Sequence, residues 1–414
     1  MTPAFSLPAL LLAFLGFAAP LFPANAQNAP AAPIESASDS GPEPQLLKIF
    51  SEIEKNRLDS ALAQTDALLE RYPNFRLAHL IRGDLLLARG MPLSTFGNAK
   101  NAPKEQIEDL REEVVARLKA YRNRLDPSHY VPRYLLQLRP DQKYAIVVDT
   151  QKARLYLYQN QEDGRPRFVA DYYISHGKLG AGKKLEGDKK TPTGVYHVTS
   201  SLSAQKIGDL YGSRAFLYGD GAFPINYPNE WDRRNGRKGH GIWLHGTPAD
   251  TYSRPPKASD GCVVLSNVDL NALAKNVQIG LTPVIISNSI EWLSIDDWRN
   301  ERTALNKEID EWRGDWESMN VNRYMRHYSK RFQTDKQTRE QFAEQKHRVN
   351  AAKSWIKVKL SNLSMFRNPG KEELVVVTFE QDYRSSNLSN QMKKSQYWIR
   401  EDGSWKIIFE GAYQ

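Results

Sequence analysis

Residues 240–269 read HGIWLHGTPADTYSRPPKASDGCVVLSNVD. This stretch decides the fold, because two kinds of local structure meet in it around one thiol. GIWLHG, residues 241–246, alternates like a strand, whereas CVVL, residues 262–265, is a short apolar run entering a helix start at Ser266-Asn267. A strand end and a strand-to-helix turn can converge in space, and each carries one half of a catalytic pair. Cys262 is the only cysteine of the chain, and His245 lies seventeen positions before it. A thiolate deprotonated by an imidazole is the minimal apparatus for covalent acyl transfer. Ser259, Asp260 and Gly261 directly precede the thiol. Backbone N–H groups of Gly261 and Cys262 are placed to stabilise a tetrahedral oxyanion, and Gly261 lets the chain turn tightly beside the nucleophile.

The chain around this stretch has 414 residues, enough for two or three domains, with an ordinary globular composition and a net charge of +9. The positive balance favours anionic partners. Nucleic acid is not expected among them, since no zinc-finger spacing, recognition-helix signature or RNP-type run occurs. No His and carboxylate set has metal-ligand spacing, so neither metal nor other cofactor is expected.

Residues 7–21 form an apolar run followed by Pro23-Ala24-Asn25-Ala26, an A-x-A pattern before Gln27. This reads as a secretory signal over residues 1–26, cleaved after Ala26 into the periplasm, although no Lys or Arg precedes the run. A retained anchor is the alternative; the run is short for a spanning helix, so no stable transmembrane anchor is expected. An exported chain with one cysteine cannot close an internal disulfide, which leaves Cys262 either reactive or buried and inert. Its Ser-Asp-Gly and His-Gly surroundings favour the reactive reading.

Residues 27–43, rich in Ala, Pro and Ser, read as a flexible linker. Residues 44–126 then turn helical. ALLERYPNFRLAHLIRGDLLLARG resembles a tetratricopeptide-type hairpin, which is either a docking module for protein partners or a structural cap. Residues 127–140 read as a loop. Strands follow in AIVVDTQKARLYLYQN, RFVADYYIS and TGVYHVTSS. Between the last two, His176–Lys190 fits no phosphate-loop spacing and reads as a mobile basic loop facing a substrate with carboxylates. Trp243 lies on the strand face of His245 by the two-residue period, and with Tyr227 it is an aromatic that lines the cleft or packs the core. His240, between two glycines, either borders the cleft or is a structural histidine.

VVDTQKARLYLY, TPTGVYHV, INYPNEWD, GHGIWLHGTP and SDGCVVL occur in the order found in YkuD-type L,D-transpeptidase catalytic domains. Residues 138–289, over a third of the chain, resemble that family. The resemblance implies a β-rich sandwich in which Cys262 attacks a peptidoglycan stem tetrapeptide and His245 is the base. It also implies that the Gly246 carbonyl orients the imidazole, that Ser259 shapes the turn, and that Gly261 with Cys262 forms the oxyanion hole. Val264 departs from the family, which usually has Arg or Asn two positions after the cysteine. Lys178, Lys183, Lys184 or Arg214 would then have to supply the charge.

Past residue 290, Leu305, Ile309, Trp312, Trp316 and Met319 trace one helical face, and three strand-like runs end in the hairpin WIREDGSWKI. Residues 291–414 resemble a nuclear-transport-factor-2-like cone, expected to bind substrate or partners. The chain is thus read as multidomain α+β: an N-terminal α-helical hairpin region, a central β-rich YkuD-type sandwich and a C-terminal α+β cone. This combination is similar to the cell-shape L,D-carboxypeptidases of helical bacteria. The expected activity is a cysteine L,D-transpeptidase releasing D-alanine and passing the acyl group to an amine. With water as acceptor it becomes an L,D-carboxypeptidase, and a non-catalytic wall-binding scaffold is a third reading.

Overall fold

The structure, a computed structural model, describes residues 41–93, 95–98, 102–370 and 372–412. The signal segment and most of the linker lie outside the described residues. Helices Glu43–Glu54, Leu58–Arg71, Arg76–Leu87 and Lys104–Arg122 open the described chain. Their apolar faces (Leu46, Ile49, Leu62, Leu68, Leu77, Ile81) close into one small core. The linker reading overshoots at its last residue. Glu43 is a buried helix residue whose carboxylate accepts from Arg117 at 2.7 Å and pairs with Arg154 at 3.0 Å. Both arginines lie far along the chain, so local composition carries no sign of them.

The central domain holds a five-stranded sheet in the order Pro166–Tyr173, Arg154–Asn160, Tyr144–Asp149, Pro283–Ser287, Gly194–His197. Facing it is a four-stranded sheet: Val263–Val264, Trp243–His245, Gly221–Pro224, Leu202–Ser203. Strand Tyr144–Asp149 explains why its sequence is almost uniformly apolar. Ile146 and Val148 point into the core between the sheets, whereas Ala145 and Val147 point away, into a second core with Tyr134, Leu135 and Phe366. A strand covered on both faces reads as a continuous apolar run rather than as an alternation.

The C-terminal domain packs helix Ile295–Glu317 into a curved sheet, with Trp298, Leu305, Ile309, Trp312 and Trp316 buried on its inner side. The sheet order is Ser404–Ala412, Leu388–Glu401, Leu374–Ser385, Ile356–Asn368 and then Leu135–Gln137. That last strand corrects the reading of residues 127–140 as a loop. They contain the strands Tyr130–Pro132 and Leu135–Gln137, and the second hydrogen-bonds the edge of the cone as Phe366↔Leu135. Three-residue strands are too short to show periodicity. The two domains also meet where the Trp231 ring stacks on Tyr397 at 5.1 Å. Among the described residues, no helix is long and apolar enough to cross a membrane.

Candidate active site

Strand Trp243–His245 runs parallel to Val263–Val264, in register Leu244↔Val263 and His245↔Val264. Parallel pairing sets adjacent backbones about 4.8 Å apart, so the residue entering the second strand, Cys262, comes opposite Trp243, two positions before the partner of His245. The helix after it begins at Asn267 with Ser266 as its cap, whose side chain accepts from the Asp269 N–H. The turn between strand and helix is therefore fixed at both ends.

His245 is buried, and its Nδ1 lies 2.7 Å from the Gly246 carbonyl oxygen. A carbonyl can only accept, so Nδ1 carries the hydrogen and the Nε2 lone pair is left to take a proton. Burial pushes the imidazole down to about 4, against that hydrogen bond, and the nearby Arg254 charge adds to the lowering. Cys262 is partly exposed, and its Sγ donates to the Gly241 carbonyl at 3.4 Å. Burial pushes the thiol up to about 11, opposed by the Trp243 backbone N–H and by the charges of Lys183 and Arg254. At neutral pH the resting pair is a neutral thiol beside a neutral imidazole.

The turn geometry needs glycine at two positions. A Cβ on Gly246 would stand 2.0 Å from Asn267 Oδ1. That amide itself accepts from the Asp220 N–H at 3.1 Å and donates to the Thr247 carbonyl at 2.9 Å. Gly261 has φ +134, and a Cβ there would meet the Lys190 carbonyl oxygen at 2.8 Å. Ser259 donates to the Cys262 carbonyl at 2.6 Å and accepts from the Gly261 N–H at 3.1 Å. This alters the expected oxyanion hole. The Gly261 N–H is already engaged, and the Cys262 N–H is the one without an acceptor among the described residues.

Trp243 is half-buried, packed against Tyr218 at 5.0 Å and Tyr211 at 5.6 Å. Tyr218 stands edge-on to the His245 ring at 5.0 Å, a neighbour that no motif in the sequence announced. Tyr227 does not line the cleft. It is buried in the sandwich core against Tyr196, and its hydroxyl donates to the Lys238 carbonyl at 3.0 Å. His240 is exposed, with its Nδ1 3.6 Å from Glu186.

The basic segment His176–Lys190 is a stitched loop rather than a loose one. Asp188 accepts from the backbone N–H of Lys184, Leu185 and Lys190 and from the Lys183 ammonium. Burial opposes its ionisation, yet these donors hold its carboxyl well below the usual range. The loop is tied to the nucleophile turn by Thr191, which donates to the Gly261 carbonyl at 3.0 Å, and by Lys178 N–H on the Ser259 carbonyl at 2.8 Å. Lys183 is thus occupied by Asp188, Lys178 pairs with Asp260 at 3.4 Å, and Val264 is buried in the strand pair.

Residues 143–286 match the L,D-transpeptidase catalytic domain named YkuD, and residues 304–411 match the Cds6 C-terminal NTF2-like domain. Comparison with curated proteins finds no match. Among solved structures, Bd1075 of Bdellovibrio bacteriovorus is 26% identical with a TM-score of 0.59, covering 69% of this chain and 99% of its own. The helical cell shape determining protein Pgp2 of Campylobacter jejuni is 27% identical with a TM-score of 0.56, covering 68% of this chain and 95% of its own. The paired strands that bring His245 to Cys262 therefore lie in a YkuD-family L,D-transpeptidase catalytic domain, followed by a Cds6-type NTF2-like domain.

Proposed function

We propose that this chain is an exported cysteine acyltransferase of the cell wall, an L,D-transpeptidase that cleaves peptidoglycan stem tetrapeptides. The observation that carries this is the His245–Gly246 hydrogen bond at 2.7 Å on the strand paired with that of Cys262. It supplies a neutral, oriented base one strand away from the chain's only thiol. In the reaction Nε2 takes the thiol proton as Sγ attacks the carbonyl of the third residue of the stem, and the C–N bond to D-alanine breaks. His245 returns that proton to the departing amine, leaving a thioester on Cys262. An amine of a second stem resolves the thioester into a cross-link and regenerates the thiol. The Cys262 N–H is the donor available to the oxyanion. The apolar run at residues 7–21 with its A-x-A site supports export to the periplasm.

The likeness to a cell-shape protein favours a second reading with the same acyl-enzyme, in which water replaces the amine and tripeptide is the product. Mass spectrometry of the purified protein with a disaccharide tetrapeptide tests both. Loss of D-alanine with a cross-linked dimer is the expected result, and tripeptide alone selects the carboxypeptidase. Absence of any product, together with no carbapenem adduct on Cys262, overturns the enzymatic reading in favour of a wall-binding scaffold.

A further inference from the structure

Resting on the stem-peptide reading above, we infer that Arg254 is the specificity residue that receives the carboxylate of the departing residue of the donor peptide. An acyl donor ending in a free D-alanine brings an anion within a few bonds of the attacked carbonyl, and such an anion needs a partly desolvated cation. The position two residues after the nucleophile is Val264, buried between Ser175 and the His245 strand, so it offers no polar group. Lys183 is spent on Asp188 and Lys178 on Asp260, while Lys184 is exposed and Arg214 is exposed in the segment that carries Tyr218.

Arg254 remains, and its placement is built. Its carbonyl accepts from the Tyr173 hydroxyl at 3.0 Å and from the Ser175 hydroxyl at 2.9 Å. Its Nη2 donates to the Ala258 carbonyl at 2.8 Å, four residues before the nucleophile. Its charge lowers the affinity of both the Cys262 thiol and the His245 imidazole for a proton. It is half-buried, and its neighbouring acid, Asp260, already faces Lys178. Burial lowers the affinity of the guanidinium for its proton, against the opposing charges of Asp260 and the thiol. A carboxylate arriving beside Cys262 would add a further opposing charge, in the bidentate geometry to which a guanidinium is suited.

The experiment compares the disaccharide tetrapeptide with the same donor ending in D-alaninamide, using the full chain and its Arg254→Gln and Arg254→Lys variants. The native chain should prefer the acid by roughly tenfold to a hundredfold in kcat/KM, the range of one charge-assisted hydrogen-bonded contact. Arg254→Gln should lose this preference by slowing far more on the acid than on the amide, and Arg254→Lys should restore part of it. Alkylation of Cys262 by iodoacetamide at alkaline pH should proceed in all three, which separates lost recognition from a collapsed site. A native chain indifferent to the amide, or an Arg254→Gln variant that keeps the native acid-to-amide ratio, overturns the assignment. If the native chain turns over neither donor, the stem-peptide reading itself fails, and this assignment fails with it.

Discussion

Burial holds His245 near 4, whereas an unfolded chain would release it to its ordinary value of about 6.5. The sign follows from linkage: a base whose folded pKa is depressed contributes stability above pH 6.5, and that contribution fades as pH falls toward 4. The same neutrality makes it a competent base in mildly acidic solution. The acid limb of kcat/KM should therefore lie near pH 4, and a limb between 6 and 7 would mean that the ring titrates as an exposed imidazole. Cys262→Ala should abolish turnover with the melting temperature nearly unchanged, because the partly exposed thiol adds little packing. Gly246→Ala makes the opposite point. Its new methyl meets the Asn267 amide that ties Asp220 and Thr247 together, so it should cost about 1–3 kcal/mol in denaturant unfolding and lower activity by moving the carbonyl that orients His245.

At the scale of elements, the helix after the nucleophile carries an ionisable group with the reverse sign. Burial raises Asp269 to about 6, with the Ser266 hydrogen bond working against the rise. An acid whose folded pKa is raised costs nothing while both states are protonated, below about pH 3.8, and its penalty grows as pH rises through 6. Asp269→Asn should therefore stabilise the protein by roughly 1–2 kcal/mol at pH 8 and much less at pH 4. A gain that does not depend on pH would show that the carboxyl is solvated. The strand and helix that frame the site were legible in GIWLHG and SNVD because each shows its period or cap within a few residues. Trp243 stands on that strand with its ring against Tyr211 and Tyr218. Arg254 and Tyr218 were not legible, since each depends on contacts between segments far apart in sequence. The Gly261 N–H is engaged locally, by Ser259 two residues away, in a turn whose hydrogen bonds the residue types alone do not specify. Tyr227, read as lining the cleft or packing the core, takes the core position, because an aromatic in a loop motif gives no sign of which side of a sheet it will cover.

The whole molecule bears on the site through the loop that carries Arg254. The N-terminal helices grip residues 249–253 from behind. Tyr252 is buried in the helical core, 4.5 Å from the Tyr72 ring and 5.0 Å from Phe75, and its N–H donates to the Asn74 carbonyl at 3.0 Å. Asn74 donates to the Ala249 carbonyl at 2.8 Å, and Ser253 donates to buried Glu113 at 2.6 Å. Glu113 in turn accepts from Arg117, whose guanidinium lies 3.7 Å from the centre of the Tyr173 ring. Tyr173 holds the Arg254 carbonyl, so the ion cluster and the anion-binding arginine share one support. The cone is joined as closely, through strand Leu135–Gln137 and the Trp231–Tyr397 stack, so removing either flanking domain would expose core and test nothing but folding. Point variants in the strap are informative instead. Tyr252→Ala should cost about 3 kcal/mol or more, the range for emptying a buried aromatic site. Glu113→Gln removes the charge that anchors Ser253 and Arg117 while keeping the shape. Both should speed amide hydrogen exchange in residues 247–261 and lower kcat/KM for the acid donor more than for its amide, because Arg254 moves while His245 stays on its strand. Equal losses on the two donors, or unchanged exchange in that loop, would reduce the helices to a structural cap with no hold on the site.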